Sequence, residues 1–197
     1  MKIISLDLEL NQPSGKIIEI GAVAGNLATG EIESIWSSLV DPGELLDPRI
    51  TELTGITQNS IIGAPDLISA GSDFIAWAQK HKEFPNLMTW GGNDSQMLKE
   101  QMGSSISKWP FGYRHLDVKT VYVAYQHSLG NWTPRSGLAK SMSKLGLAFR
   151  GTKHGALSDA YSTFYFYYNL LRLIRGEKID TSPLVPKEVL KQRNQQK

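Results

Sequence analysis

The 197-residue chain contains no cysteine. That excludes a disulfide framework and any thiolate zinc site, and it fits a reducing compartment. No apolar run is long enough to span a bilayer. The opening residues, MKIISLDLELNQ, reach an aspartate and a glutamate too soon for the uninterrupted apolar stretch of a signal peptide. A cytoplasmic protein with no membrane partner is expected. An excess of either charge is also lacking: Lys and Arg total 21 against 19 acids. The small surplus lies after Gly176, where Lys178, Lys187, Lys191, Arg193 and Lys197 outnumber Glu177, Asp180 and Glu188. A protein that coats nucleic acid usually presents a basic face, and the balanced body does not announce one.

The length suits one domain with a substantial core and is short for two. Ile4, Leu6, Leu8 and Leu10 alternate with Ser5, Asp7 and Glu9, the period of a strand. KIIEIGAVAGN and EIESIWSSLV read as second and third strands around the turn Ala28-Thr29-Gly30-Glu31. VDPGELLDPRITELTGIT reads as a connector. Helical spacing runs from Asp66 to Glu83, with Pro65 placed to open that helix. NLMTW reads as a short buried strand, followed by a helix from Ser95 to Met102 and a loop over 103–116. LDVKTVYVAYQHSLG, GLAKSMSKLG and the segment from Ala156 to Ile174 read as helices. Strands in succession followed by mixed elements predict an α/β domain with a mixed sheet whose first strands form a meander. Residues 1–175 are expected to form the domain and 176–197 a polar, mildly basic tail.

Asp7 and Glu9 are two apart on a predicted strand, so both carboxylates point to one face. Adjacent carboxylates repel unless positive charge lies between them, and a hard cation such as Mg²⁺ supplies it. A solvated edge-strand face carries the same pattern. Asp94 follows a strand and two glycines, where a metal-binding acid and a helix N-cap are both at home. His154 and Asp159 would diverge by roughly 140° on one helix. They converge only with His154 on the preceding loop and Asp159 in the first turns. The plain alternative is a surface histidine and a dipole-stabilising aspartate. His81, His115 and His127 read as ordinary surface residues.

Taken in order, SLDLEL with IIEIGAV, LTGIT after a Pro-containing connector, TWGGND and LGLAFRGTKHGALSDA resemble the DnaQ-like, or DEDDh, 3′→5′ exonuclease superfamily. The resemblance covers nearly the whole chain except the tail. TWGGND and HLDVK lean towards its Eri-like and KapD-like branch. Gly155 stands four residues before Asp159, where the tyrosine subclass would place Tyr, so the histidine subclass is favoured. Leu10 and Asn11 follow Glu9 where the family often has Thr or Ala, and Ser162 replaces an Asn of the Eri-like branch.

The resemblance implies an RNase H-like fold, with a central mixed five-stranded sheet flanked by helices. It also implies two divalent cations, Mg²⁺ or Mn²⁺. By carry-over, Asp7 bridges both ions, Glu9 and Asp159 hold the one that activates water, and Asp94 helps hold the other. His154 takes the proton of the attacking water. Leu10 corresponds to a wedge beside the terminal base, or is simply core. Trp132 and Arg135 would stack on a base and touch a phosphate, or are structural. The implied activity removes nucleoside 5′-monophosphates from single-stranded 3′ ends of DNA or RNA. A homodimer, or a polymerase or RNA-processing partner, is compatible with that. The competing reading keeps the fold without catalysis, as a nucleic-acid-binding or scaffold module.

Overall fold

The structure, a computed structural model, describes residues 1–106, 108–132 and 136–182. Three antiparallel strands open the chain: β1 (Lys2–Leu10), β2 (Ile17–Asn26) and β3 (Ile32–Leu39). β4 (Leu87–Thr89) and β5 (Leu116–Asp117) add in parallel on the other side of β1, giving the order β3-β2-β1-β4-β5. The expected mixed five-stranded sheet is present.

The alternation in β1 separates two cores. Ile4, Leu6 and Leu8 pack with Phe74 and Ala78 of α2 (Leu67–His81) and Leu98 and Met102 of α3 (Asp94–Met102). Ile3 faces the opposite layer, built from α4 (Val118–Ser128), α5 (Leu138–Lys144) and α6 (Ala156–Ile174). Ser5, Asp7 and Glu9 follow Ile3 on that second face, because side chains two apart on a strand share a side. The aromatic run of α6 lies in this core, with Phe164, Tyr165 and Phe166 buried.

α6 crosses the sheet where β2 has glycines. A Cβ on Gly21 would overlap the backbone of Ala156 and Leu157, and one on Gly25 would overlap the Phe164 ring. Gly21 is paired with Asp7 across the ladder. The missing side chain therefore lets the first turn of α6 settle beside Asp7.

Several boundaries differ from the sequence reading. The connector contains a helix, α1 (Pro48–Thr54), capped by Asp47, whose side chain accepts from the Arg49 N–H, and closed by Gly55 at φ 78°. Asp66, rather than Pro65, caps α2 by accepting from the Ser69 N–H. Leu116 and Asp117 form β5 instead of opening α4, and Asp117 caps that helix. The described part of the expected tail folds back: the Tyr165 hydroxyl donates to the Asp180 carbonyl at 2.6 Å, and Ile179 packs on the α6 core. No described helix is long and apolar enough to cross a membrane.

Candidate active site

Asp7 and Glu9 project from the C-terminal half of β1, and a register irregularity follows between Glu9 and Leu10. Asp159 lies in the first turn of α6, docked over Gly21. One carboxylate oxygen from each of Asp7, Glu9 and Asp159 lies within 4.8 Å of the others. No ion pair to these three acids or to Asp94 occurs among the described residues. Asp159 Oδ1 is buried without a hydrogen-bond partner.

This crowding of acids is costly without a cation, and the proton affinities record it. Burial, then the charges of Asp94, Asp159, Glu9 and Glu19, push the Asp7 carboxyl well above its ordinary range. Burial and the neighbouring acids Asp159, Glu19 and Asp94 push Glu9 up to about 8. Burial raises Asp159 to about 6, partly offset by the charge and backbone N–H of His154. A hard divalent cation takes oxygen ligands and would relieve all three acids at once. The donor set fits such an ion.

Asp94 is the first residue of α3, not its cap. Asn93 holds the cap position, and no side chain caps this helix. The Asp94 carboxylate is raised to about 7 by burial. It lies outside the tight triad but close enough for its charge to act on Asp7 and Glu9.

His154 lies on the exposed loop before α6 at φ 59°, the only non-glycine residue in the left-handed region among the described residues. That conformation is sparsely populated for side chains other than Asn, Asp and His. It separates His154 from the helix axis, as the five-residue spacing to Asp159 requires. Leu10 is half-buried against the α2 and α3 core. Trp132 lies after α4, 80% exposed, with its ring 4.8 Å from that of His127. Arg135 lies outside the described residues.

The sequence reading missed Glu19. It sits directly opposite Glu9 in the β1–β2 ladder, and its Oε2 accepts the Ala156 N–H at 2.9 Å. Gly155, at the cap position of α6, has no side chain to do this. Glu19 thus satisfies one of the orphan donors of the helix and ties α6 to β2. Its polar intrusion into the apolar run Ile17–Ile20 was the available signal. Asn11 departs from the family pattern after Glu9. It is buried and pins the connector beside the end of β1, donating to Glu44 Oε1 and the Leu45 carbonyl and accepting from the Asp47 N–H.

The sequence matches the model of the RNase T-type exonuclease family over residues 4–167. The chain belongs to that exonuclease family. It is 28% identical over 172 residues to ERI1 exoribonuclease 2 of Danio rerio, covering 79% of this chain and 31% of that protein. It is 27% identical over 192 residues to the probable 3′-5′ exonuclease KapD of Bacillus subtilis, covering 89% of this chain and 85% of that one. Among solved structures, the nuclease domain of 3′hExo, a DEDDh family member bound to rAMP, superposes with a TM-score of 0.73 at 23% identity. That match covers 92% of this chain and 96% of that domain. The chain thus spans about a third of the length of the ERI1 exoribonuclease 2 relative. These likenesses bear out the DnaQ-like resemblance, its Eri-like and KapD-like leaning, and the RNase H-like fold. Exonucleases of this family generally use divalent metal ions, and a carboxylate cluster able to hold one is present.

Proposed function

We propose that this chain is a metal-dependent 3′→5′ exonuclease that releases nucleoside 5′-monophosphates from single-stranded 3′ ends of DNA or RNA. The observation that carries the reading is the convergence of Asp7, Glu9 and Asp159 within 4.8 Å in a chain of an exonuclease family. Membership alone would leave room for an inactive copy. A cluster that favours protons so strongly has little structural benefit unless a cation replaces them.

Asp7, Glu9 and Asp159, with Asp94 at the margin, are the residues to hold two Mg²⁺ or Mn²⁺ ions. When bound, such ions neutralise phosphodiester charge and lower the pKa of water. The protein supplies the rest. Asp7 is fixed by its place in the centre of the sheet, and Asp159 by the docking of α6 on Gly21. His154, free on its loop, accepts the proton of the attacking water. Imidazole suits this because its ordinary pKa is near neutrality. The water oxygen bonds to phosphorus and the bond from phosphorus to the 3′ oxygen of the shortened strand breaks; that oxygen takes a proton from solvent to become the new 3′ hydroxyl, and the phosphate stays on the 5′ oxygen of the released nucleotide. By the family resemblance, Leu10 at the end of β1 would pack beside a terminal base.

A linear and a circular single strand of the same sequence test this reading, each as DNA and as RNA, with Mg²⁺ or Mn²⁺. Linear strands should yield nucleoside 5′-monophosphates and circles should survive. Cleavage of the circles would make the protein an endonuclease. Survival of every substrate in both metals would favour the binding-module reading.

A further inference from the structure

The carboxylate cluster repels a polyanion, and basic and acidic residues nearly balance in number, 21 to 19. A strand longer than its reacting end therefore needs a local hold elsewhere. A groove of about 420 Å³ runs along α3 and starts at Ser95, the residue after Asp94. Its floor is the α3 face carrying Ser95 and Lys99, four residues apart and so on one side of the helix. Its far wall is the loop that carries Trp109, Tyr113, Arg114 and His115.

The wall is fixed in place. The Gly112 N–H donates to the Pro85 carbonyl at 2.8 Å, and a Cβ on Gly112 would overlap the Asn86 side chain. Lys82 Nζ donates to the Pro110 carbonyl. Trp109 packs edge-on against Phe111 at 5.0 Å, and Phe111 stacks on Phe74 in the core at 5.9 Å. In contrast, Tyr113 is fully exposed. A phenol ring left in water on a fixed wall, in a groove also lined by Lys99 and Arg114, has the chemistry of a base-stacking platform beside phosphate contacts. The acid among the lining residues, Glu100, is engaged by Gln96 Nε2 at 2.6 Å.

We infer that this groove holds the single-stranded part of the polynucleotide upstream of the reacting 3′ end, with Lys99 and Arg114 on phosphates and Tyr113 under a base. The inference rests on the proposed exonuclease reading for the identity of the strand. α3 is about 13 Å long, so the groove engages a few nucleotides and leaves a dinucleotide untouched. Charged contacts add salt dependence, with about 0.7 lost from the slope of log affinity against log salt per phosphate contact removed.

The test uses the full chain and variants Lys99→Ala/Arg114→Ala and Tyr113→Ala. Binding of a 5′-fluorescein single strand of about 12 nucleotides is followed by anisotropy in EDTA. Hydrolysis of that strand and of a dinucleotide is followed in Mg²⁺. The double variant is expected to bind the long strand about tenfold more weakly, with a salt slope about 1.4 shallower. Tyr113→Ala should weaken it by about 5- to 100-fold. Dinucleotide hydrolysis should be unchanged in both. Unaltered long-strand binding in both variants overturns the groove, as does an equal loss on the dinucleotide. A wild-type chain that binds the long strand through these residues but never shortens it overturns the exonuclease reading and leaves the groove standing.

Discussion

The Glu19 carboxylate accepts the Ala156 N–H at 2.9 Å, joining the strand opposite Glu9 to the first residue of the helix that carries Asp159. The contact places a fifth acid beside the cluster. Burial raises the pKa of Glu19, the Ala156 N–H lowers it, and the charge of Asp159 raises it again. Its retention there follows from what it holds: without it, the α6 N-terminus loses a buried acceptor and Asp159 its alignment with Asp7.

Glu19→Ala should therefore lower kcat at least about tenfold with little change in KM, and lower Tm by several degrees. An unsatisfied buried N–H costs about 1–3 kcal/mol. Glu19→Gln keeps an acceptor and removes a repelling charge, so it should recover most of both losses. Steady-state kinetics and thermal melts of the two variants decide this. An Ala variant with wild-type kcat would reduce Glu19 to a bystander.

His154 sits where φ is 59°, so the cleanest variant is one that tolerates that backbone. Asn does. His154→Asn should slow hydrolysis about 10²- to 10⁴-fold, the usual range for loss of a general base. The thermal shift on adding Mg²⁺ should persist. Loss of that shift would make His154 a metal ligand instead.

The acids also predict how stability responds to pH. Their folded pKa values are raised: Glu9 to about 8, Asp94 to about 7, Asp159 to about 6. The folded state thus binds more protons than the unfolded state between the ordinary and raised values. The stability linked to these groups is fully present below their ordinary values. It is lost as pH rises through the folded ones. In EDTA, wild-type Tm relative to that of Glu9→Gln should fall between about pH 4.5 and about pH 8. Mg²⁺ or Mn²⁺ should remove most of that fall at the alkaline end, because a ligand bound by the folded state alone stabilises it. A relative Tm that rises with pH in EDTA, or ignores the metal, would mean that these acids are not a cation site.

Much of this was legible in the sequence because two periodicities carry it. The alternation Ile4, Leu6, Leu8 set the strand and put Asp7 and Glu9 on one side; the long apolar segment after Ala156 set α6. The five-residue gap between His154 and Asp159 demanded a loop–helix break, and Gly155 stands at it. Other features depend on pairing that local pattern does not encode. Glu19 meets Glu9 only through the register of β1 with β2. β5 has two residues, too few to show a period. Lys99 and Arg114 come to line one groove through the loop whose Gly112 N–H donates to the Pro85 carbonyl. α1 is a different case: Asp47-Pro48 and Gly55 are start and stop signals that the Pro- and Gly-rich setting obscured.

On the proposed reading, Asp7, Glu9 and Asp159 form a metal-dependent hydrolytic centre acting from the 3′ end. The most direct measurement follows 5′-labelled single-stranded DNA and RNA on a sequencing gel with Mg²⁺, Mn²⁺ or EDTA, for the wild type and Asp7→Ala. The expected result is a ladder that shortens from the 3′ end in either metal and is absent in EDTA and in the variant. An undiminished ladder in Asp7→Ala, or intact substrate under every condition, would contradict it.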